Sequence, residues 1–413
     1  MTSRNGETQV IIVGAGPGGA VLAYLLARSG VRTTLLERHT DFAREFRGEV
    51  LMPGGLEPFS QMGLWEALDS VPHTSVERFG IYANGKKVAG LELPEGVFGQ
   101  YGPRWVSQPD FLEMLVGEAA RFPSFELVRG AAVRHLVRDQ GRVVGVGISS
   151  DTGERELRGG FVVGADGRAS MVRKRSGLPV EEDATPMDVV WLKLPRPREA
   201  DATFRNELRA YIGGGRLLLI APTPDDRMQI GWIIRKGSFG DLRSRGWAAL
   251  IDEVARQMDP AMAEHLRRHR EDSVSPFLLS TVSDHMQNWT SPGMLLIGDA
   301  AHTMSPVGAQ GLNMAIRDAV VAANHLGPVL RGGSDPAALD AAAQAVEAER
   351  RHEITSIQKL QAIPPRIMLR DAWWTRLLLR LLPRLARGQV RKARDEGVFG
   401  RFAWGVSEVR LEE

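Results

Sequence analysis

Residues 9–19 read Gln-Val-Ile-Ile-Val-Gly-Ala-Gly-Pro-Gly-Gly, and this stretch decides the fold. An apolar segment closed by Gly30 follows, and then a second apolar run that ends at Glu37-Arg38. The short β-branched runs are typical of buried parallel strands, and the alanine- and leucine-rich segment between them favours a helix. We therefore expect a βαβ unit with a glycine-rich turn between its first strand and its helix.

The glycines have the spacing of a dinucleotide-binding fingerprint, Gly14-x-Gly16-x-x-Gly19. In such a turn the first glycine permits the tight bend, the second lets the backbone approach a pyrophosphate, and the third allows close helix–strand packing. The amino terminus of the helix then faces the phosphates with free N–H groups. Glu37 can accept hydrogen bonds from both ribose hydroxyls, which favours FAD or NAD over NADP, whereas Arg38 beside it is more typical of the surface.

The composition narrows the chemistry further. At about 150 residues per domain, a chain of 413 residues predicts two or three structural units. Hydrophobic residues make up 43% and charged residues 25%, and the formal charge of +2 indicates no overall preference for nucleic acid.

The chain has no cysteine, which excludes disulfides, iron–sulfur clusters, cysteine-ligated zinc and thiol mechanisms, so redox chemistry would need a bound cofactor. We predict no metal site, and the lack of a signal or membrane-spanning stretch predicts a cytoplasmic protein.

Two further motifs lie at the ends of apolar runs. One ends in Asp166-Gly167 and the other in Gly298-Asp299, and the second is followed by Ser-Pro-Val-Gly-Ala-Gln-Gly-Leu-Asn at 305–313. A glycine-rich βαβ unit, then Asp-Gly, then Gly-Asp with this continuation resembles the group A flavoprotein monooxygenases, the FAD-dependent aromatic hydroxylases of the para-hydroxybenzoate hydroxylase type. The resemblance covers about residues 8–330.

The resemblance implies roles for individual residues along FAD. The glycine-rich turn and Glu37 would hold the ADP half, and Val133 would pack beside the adenine. Arg47 would approach the pyrophosphate or the ribityl chain. Asp166 belongs to a motif associated with both FAD and NAD(P)H.

At the flavin end, Gln108 and Asp299 would contact the ribityl chain, and Pro306 and Gly308 would lie along the isoalloxazine. The backbone of residues 311–313 would face the pyrimidine edge, where a helix amino terminus stabilises the negative charge of reduced flavin. The full predicted cofactor-binding set is Gly14, Ala15, Gly16, Pro17, Gly18, Gly19, Glu37, Arg38, Arg47, Gln108, Val133, Asp166, Gly298, Asp299, Pro306, Gly308, Gly311, Leu312 and Asn313.

By this resemblance the chain would use FAD with NAD(P)H and O2 to hydroxylate or epoxidise an aromatic or polyketide-like small molecule through a flavin C4a-hydroperoxide. The residues name no general base. His302 could assist proton movement, although a structural histidine is the favoured interpretation. Trp191, Tyr211 and Trp232 are candidates to line the substrate pocket, with ordinary core as the favoured alternative.

We expect an α/β fold in which an FAD-binding Rossmann-like domain carries an inserted β-sheet substrate domain and a helical C-terminal extension. The FAD-binding domain would comprise residues 1–75, 101–180 and 276–330, the substrate-binding sheet domain residues 76–100 and 181–275, and the helical C-terminal region residues 331–413.

The C-terminal region carries apolar residues at helical spacing, including Trp373, Trp374 and Leu377, among arginines such as Arg370 and Arg384. A helix docked on the body with solvated arginines is the favoured interpretation. The alternative is a basic amphipathic surface that contacts a membrane or the carrier of a lipophilic substrate. We otherwise expect the small molecule and O2 as partners, no nucleic acid, and a monomer or homodimer.

Two other classes of protein have a similar architecture. A flavin-dependent reductase of prenyl chains or a halogenase would use the cofactor without inserting oxygen. The halogenase motif Trp-x-Trp-x-Ile-Pro is only partly matched at 191–195, where the second tryptophan is missing. A non-catalytic escort of prenylated GTPases would not use flavin, and the Asp-Gly and Gly-Asp pairs argue against it.

Overall fold

The computed structural model describes residues 9–43, 50–93, 98–183, 187–197, 202–213, 216–272, 274–281, 283–368 and 397–412. The architecture is α/β, with a predominantly parallel sheet and a larger, mostly antiparallel one. Helices of the C-terminal region pack against the first of these.

The fingerprint stretch forms the centre of the first sheet. Val10–Val13 pairs in parallel with Thr33–Leu36 on one side and with Phe161–Gly164 on the other, and Phe161–Gly164 pairs in parallel with Met294–Leu296. Because the carboxyl ends of parallel strands meet at one edge, Gly14, Asp166 and Gly298 follow at the same edge of the sheet. The complete strand order is Thr290–Ser291, Met294–Leu296, Phe161–Gly164, Val10–Val13, Thr33–Leu36 and Phe125–Val128.

Helices and a smaller sheet complete the core around these strands. The small antiparallel sheet contains Ala132–Asp139, Arg142–Ser150 and Gly153–Arg158. The helices that bury apolar residues in the same cluster include Pro17–Arg28, Pro53–Gln61, Gln108–Ala119, Gln310–Arg331 and Pro336–Met368.

The second sheet has seven strands. Arg78–Ala83 and Lys86–Glu92 form a hairpin through Asn84 (φ 49°) and Gly85 (φ 71°), the two positive φ angles of a type I′ turn. The hairpin joins the sheet because Arg78–Ala83 pairs in parallel with Glu207–Gly213. The complete strand order is Val274–Leu279, Met187–Pro195, Arg227–Arg235, Arg216–Pro222, Glu207–Gly213, Arg78–Ala83 and Lys86–Glu92.

The two faces of the seven-stranded sheet pack against different partners. One face is covered by the helices Phe239–Ser244, Trp247–Ala255 and Pro260–Arg268. The other face contacts Val307, in the loop predicted to lie along the flavin. The remaining elements are small: strands Val50–Leu51, His73–Ser75, Arg104–Val106, Val180–Asp183 and Ser283–Met286, helices Trp65–Asp69, Met171–Ser176 and Val398–Trp404, and short 3-10 turns at Ala202–Asn206, Gly298–Ala300 and Val307–Ala309.

The strand Arg104–Val106 is followed almost directly by a helix that begins at Gln108. The helix begins there because Ser107 takes an extended cap conformation and Pro109 fits the first turn, where its missing N–H is harmless. The basic residues between 370 and 394, with Trp373 and Trp374, lie outside the described residues, so their contact with a membrane or carrier stays a prediction. Among the described residues, no helix is long and apolar enough to cross a membrane.

Candidate active site

The glycine-rich turn is shaped by close backbone contacts. Gly14 has a φ of +99°, and its N–H donates to the carbonyl of Leu36 at 2.8 Å. A Cβ at Gly14 would lie 2.6 Å from the carbonyl oxygen of Ala165, and one at Gly19 would overlap the carbonyl of Gly14. Gly14 therefore requires glycine because of its positive φ, and Gly19 requires it because no space is left for a Cβ.

Glu37 lies buried beside this turn. Its Oε2 accepts a hydrogen bond from the N–H of Ala15 at 3.1 Å, and its Oε1 accepts one from the N–H of His39 at 3.0 Å. Both carboxylate oxygens are thus held in place at the end of Thr33–Leu36. Arg38 is exposed, with its Nε 2.9 Å from His39 Nε2, which agrees with a surface residue.

The helix Pro17–Arg28 begins directly at the turn. Gly16 is extended, with φ −73° and ψ 179°, and no side chain among the described residues caps the helix. Its first-turn N–H groups at Gly18 and Gly19 suit an anion such as a pyrophosphate.

Asp166 has a structural role at the start of a short helix. Its carboxylate accepts hydrogen bonds from the N–H of Met171 at 2.6 Å, the N–H of Val172 at 3.1 Å and the Ser170 hydroxyl, and so caps the helix Met171–Ser176. Burial raises the pKa of Asp166, and these hydrogen bonds act in the opposite direction. The backbone of the Asp-Gly loop packs closely on Gly14, since a Cβ at Gly14 would lie 2.7 Å from Cα of Asp166.

Asp299 has one oxygen engaged and one unused. Its Oδ2 accepts from Nε of Arg168 at 3.1 Å, whereas its buried Oδ1 has no hydrogen-bond partner among the described residues. A buried acceptor left unpaired is costly, so this oxygen fits a ligand hydroxyl. It therefore suits the ribityl chain of FAD.

The loop at 305–309 is held by hydrogen bonds from the helix Pro336–Met368. Gly308 (φ 73°) and Ala309 (φ 54°) adopt left-handed conformations, and Gln310 then begins a helix that no described side chain caps. Gln361 Nε2 donates to the carbonyls of Ser305 and Val307, each at 2.7 Å. The uncapped helix start carries no acidic residue in its first turn, which is the electrostatic environment that an anionic flavin edge would need.

Asn313 uses its side chain to connect this helix to a neighbouring strand. Its Oδ1 accepts from the N–H of Met52 at 2.8 Å, and its Nδ2 donates to the carbonyls of Val50 and Ala309 at 3.1 and 2.7 Å. The Asn313 side chain is thus occupied, which leaves its backbone for the predicted flavin contact. Leu312 packs on the main core.

Of three further predicted cofactor residues, the structure describes Gln108 and Val133. Gln108 is buried in the first turn of its helix, after a strand that pairs with Val50–Leu51. Val133 is buried two residues beyond Ala131, whose N–H donates to the carbonyl of Glu37 at 2.8 Å. Arg47 lies outside the described residues.

Comparison with known proteins identifies the family. The FAD binding domain family matches residues 7–355. A 6-methylpretetramide 4-monooxygenase from Streptomyces rimosus is 33% identical over 411 residues, which cover 98% of this chain and 94% of that protein. The chain belongs to the group A flavoprotein monooxygenases.

Other relatives agree with this membership. A 3-(3-hydroxy-phenyl)propionate/3-hydroxycinnamic acid hydroxylase from Mycolicibacterium smegmatis is 28% identical over 373 residues, 88% of this chain but 62% of that protein. The solved structure of p-nitrophenol 4-monooxygenase PnpA from Pseudomonas putida DLL-E4 has the same fold, with a TM-score of 0.81 at 19% identity over 97% of this chain and 99% of that one. The chain is therefore an FAD-dependent monooxygenase, which argues against the non-catalytic escort.

The monooxygenase places its three candidate pocket residues on opposite faces of the seven-stranded sheet. Trp191 lies in the cluster that contacts Val307. Tyr211 and Trp232 are paired across the sheet through Leu218 and belong to the helix-covered cluster. Trp191 pairs with Gly231 and shares its face of the sheet, so the adjacent Trp232 lies on the opposite face. The prediction from sequence therefore grouped three residues that the sheet places on two different faces. This position gives no support to pocket roles for Tyr211 and Trp232.

His302 lies in a buried charge network. Its Nε2 is 2.7 Å from Asp318 Oδ2, and Asp318 Oδ1 accepts from Nε of Arg350 at 2.8 Å. Burial alone would raise the pKa of Asp318, but His302 and Arg350 hold it well below its usual range. Glu353 contacts Arg350 and lies 3.0 Å from Arg317. These contacts favour a structural role for His302.

The monooxygenase also brings its C-terminal segment to the loop at 305–309, a contact that sequence analysis missed. A Cβ at Gly308 would lie 2.7 Å from Cδ1 of Phe402, and Gln310 Nε2 donates at 2.7 Å to the carbonyls of both Gly308 and Phe402. The N–H of Val406 donates to Glu353 Oε1 at 2.8 Å. Almost a hundred residues separate Phe402 from the loop, and no sequence motif signals the contact. In the described part of the chain, no cluster of acidic or histidine side chains could hold a metal ion.

Proposed function

We propose that this monooxygenase hydroxylates or epoxidises a polycyclic aromatic, polyketide-like small molecule, with NAD(P)H as reductant and O2 as oxygen donor. The relative named for 6-methylpretetramide supports this substrate class, since it matches nearly the whole of both chains. A second relative is named as a rifampicin monooxygenase, from Streptomyces venezuelae. The unpaired buried oxygen of Asp299 is the observation that carries the cofactor assignment.

In this proposal the residues of the parallel-sheet edge bind and orient FAD. The turn at 14–19 and Glu37 hold the ADP half, Asp299 and Gln108 hold the ribityl chain, and the loop at 306–308 lies along the ring. Bound FAD supplies hydride acceptance from NAD(P)H and activation of O2 for transfer of one oxygen atom. The uncapped start of Gln310–Arg331 stabilises negative charge on the pyrimidine edge.

We propose that the inserted sheet excludes water from the reacting ring. Its face at Met187, Val189 and Trp191 is apolar and contacts Val307, the neighbour of Gly308. An apolar cover of this kind protects oxygen transfer from hydrolysis and other side reactions. The domain division at residues 76–100 and 181–275 is part of this proposal.

Purified protein with bound flavin tests the function directly. NADH and NADPH oxidation is followed with a panel of polycyclic phenols and quinones, in labelled O2. We expect substrate-stimulated oxidation and one labelled oxygen atom in the product. Reduction of the substrate without label would indicate a reductase, halide incorporation would indicate a halogenase, and a protein unable to bind FAD would refute the proposal.

A further inference from the structure

The Asp-Gly motif is followed by an arginine that the cofactor assignments above leave unused. Arg168 stands two residues after Asp166, and its Nε lies 3.1 Å from Asp299 Oδ2. The two side chains thus connect the loops that follow Phe161–Gly164 and Met294–Leu296. The pair is partly shielded, with side-chain exposures of 34% and 26%.

Each member of this pair also presents a buried polar atom that is not used. Arg168 Nη1 and Asp299 Oδ1 both have no hydrogen-bond partner among the residues that the structure describes. Leaving both atoms buried and unpaired is costly, because each loses its hydration without a compensating hydrogen bond. A ligand that satisfies both must accept a hydrogen bond at one point and donate one at another.

The pair of Arg168 and Asp299 lies between two predicted FAD subsites, and this position indicates which ligand it would bind. At one end, a Cβ at Gly14 would lie 2.7 Å from Cα of Asp166, so the Asp-Gly loop touches the turn expected to bind the pyrophosphate. At the other end, a Cβ at Gly311 would lie 3.6 Å from Asp299 Oδ1, so that oxygen faces the start of the flavin-side helix. A phosphate group and a neighbouring sugar-alcohol hydroxyl provide the acceptor and the donor.

We propose that Arg168 is a further cofactor-binding residue, whose Nη1 donates to a phosphate oxygen of FAD while Asp299 Oδ1 accepts from a ribityl hydroxyl. The proposal rests on the proposed FAD site. The hydrogen bond to Asp299 Oδ2 orients the guanidinium, so that its second nitrogen is presented at little further cost in side-chain entropy. Lysine could supply the charge but not this two-point geometry.

Binding measurements on the cofactor-free protein test the assignment. FAD and riboflavin are titrated by flavin fluorescence into the wild type, Arg168→Met, Arg168→Lys and Asp299→Asn. Riboflavin carries the ring and the ribityl chain without phosphate. Arg175→Met is the matched control, because Arg175 lies in the following helix, is exposed, and donates only to the carbonyl of Arg134 among the described residues. Circular dichroism and the melting temperature of each variant report whether it folds.

We expect Arg168→Met to weaken FAD binding about 10- to 100-fold and riboflavin binding by a clearly smaller factor, because riboflavin lacks the phosphate but the variant also removes the partner of Asp299. Arg168→Lys should recover part of the loss, and Asp299→Asn should weaken both ligands. Unchanged FAD affinity in Arg168→Met would refute the proposal. An equal loss for riboflavin would also overturn it, since Arg168 would then act only by positioning Asp299. A wild-type protein that binds neither ligand would instead refute the proposed function.

Discussion

Replacing Glu353 with glutamine tests the buried network that connects the helix Gln310–Arg331 to the C-terminal segment at 397–412. The Glu353 side chain is fully buried, and its Oε2 contacts Arg350 Nη1. Its Oε1 lies 3.0 Å from Arg317 Nη2 and accepts a hydrogen bond from the N–H of Val406 at 2.8 Å. Glutamine preserves the size but removes the charge that two buried guanidinium groups share. Removing one partner of a buried ion pair costs about 3–5 kcal/mol. We expect the free energy of unfolding, measured by urea titration at neutral pH, to fall by about 3 kcal/mol or more.

The same variant should change the pH dependence of stability. Burial alone would raise the pKa of Glu353, but Arg350 and Arg317 hold it below its usual range. A carboxylate with a lowered folded-state pKa stabilises the native state fully above its unfolded value of about 4.3, and that contribution is lost as the pH falls through the folded value. Wild-type stability should therefore fall more steeply with acidification below about pH 5 than that of Glu353→Gln.

A surface glutamate provides the control for this experiment. Glu408 pairs with Arg410 at 2.6 Å, and both side chains are largely exposed, so Glu408→Gln should cost less than about 1 kcal/mol. A loss in Glu353→Gln no larger than that in Glu408→Gln would refute the reasoning. An unchanged acid limb would show that Glu353 does not carry the linkage.

Three further substitutions test the site. Gly14→Ala should destabilise the protein and lower its FAD content on purification, because φ is +99° and a Cβ would lie 2.6 Å from Ala165 O; full FAD content would contradict the tight turn. Trp191→Phe should raise KM for the accepted aromatic substrate while Trp232→Phe leaves KM unchanged, since only Trp191 lies on the face toward Val307; equal effects would contradict the division of faces. Phe402→Ala should increase the hydrogen peroxide released per NAD(P)H oxidised, because the ring packs against Gly308; tight coupling in this variant would show that the C-terminal helix does not shield the loop.

The parallel core of the fold and much of the cofactor edge are predictable from sequence because their signals are local. A strand, a glycine-rich turn and an acidic strand end stand within 30 residues around Gly14 and Glu37. The Asp-Gly and Gly-Asp pairs follow apolar runs, and parallel pairing then brings Asp166 and Gly298 to the edge where Gly14 lies. Each inference needs only the residue order and the rule that parallel strands present their carboxyl ends together.

Other parts depend on contacts that local patterns do not encode. The strand Glu207–Gly213 is hard to predict from local patterns because its charged residues are buried: Glu207 and Arg209 are 0% and 2% exposed and pair at 2.7 Å. From sequence alone, charged side chains are expected to face solvent, because their buried partners are not known. The face occupied by Trp232 depends likewise on strand register, which a one-residue shift reverses.

The C-terminal segment shows how the loop at 305–309 depends on distant residues. The single amide of Gln310 donates to both Gly308 and Phe402, so the loop and the C-terminal helix cannot separate without breaking one of two hydrogen bonds. Gln361, from the long helix Pro336–Met368, holds Ser305 and Val307 in the same way, and Glu353 of that helix fixes Val406. Ala309 has a left-handed backbone (φ 54°), which is unfavourable for a residue with a side chain and persists only where the surroundings determine it. The helices after residue 331 are therefore part of what shapes the loop against which FAD is proposed to lie, and a chain cut at the end of the parallel-sheet domain would lose that shape.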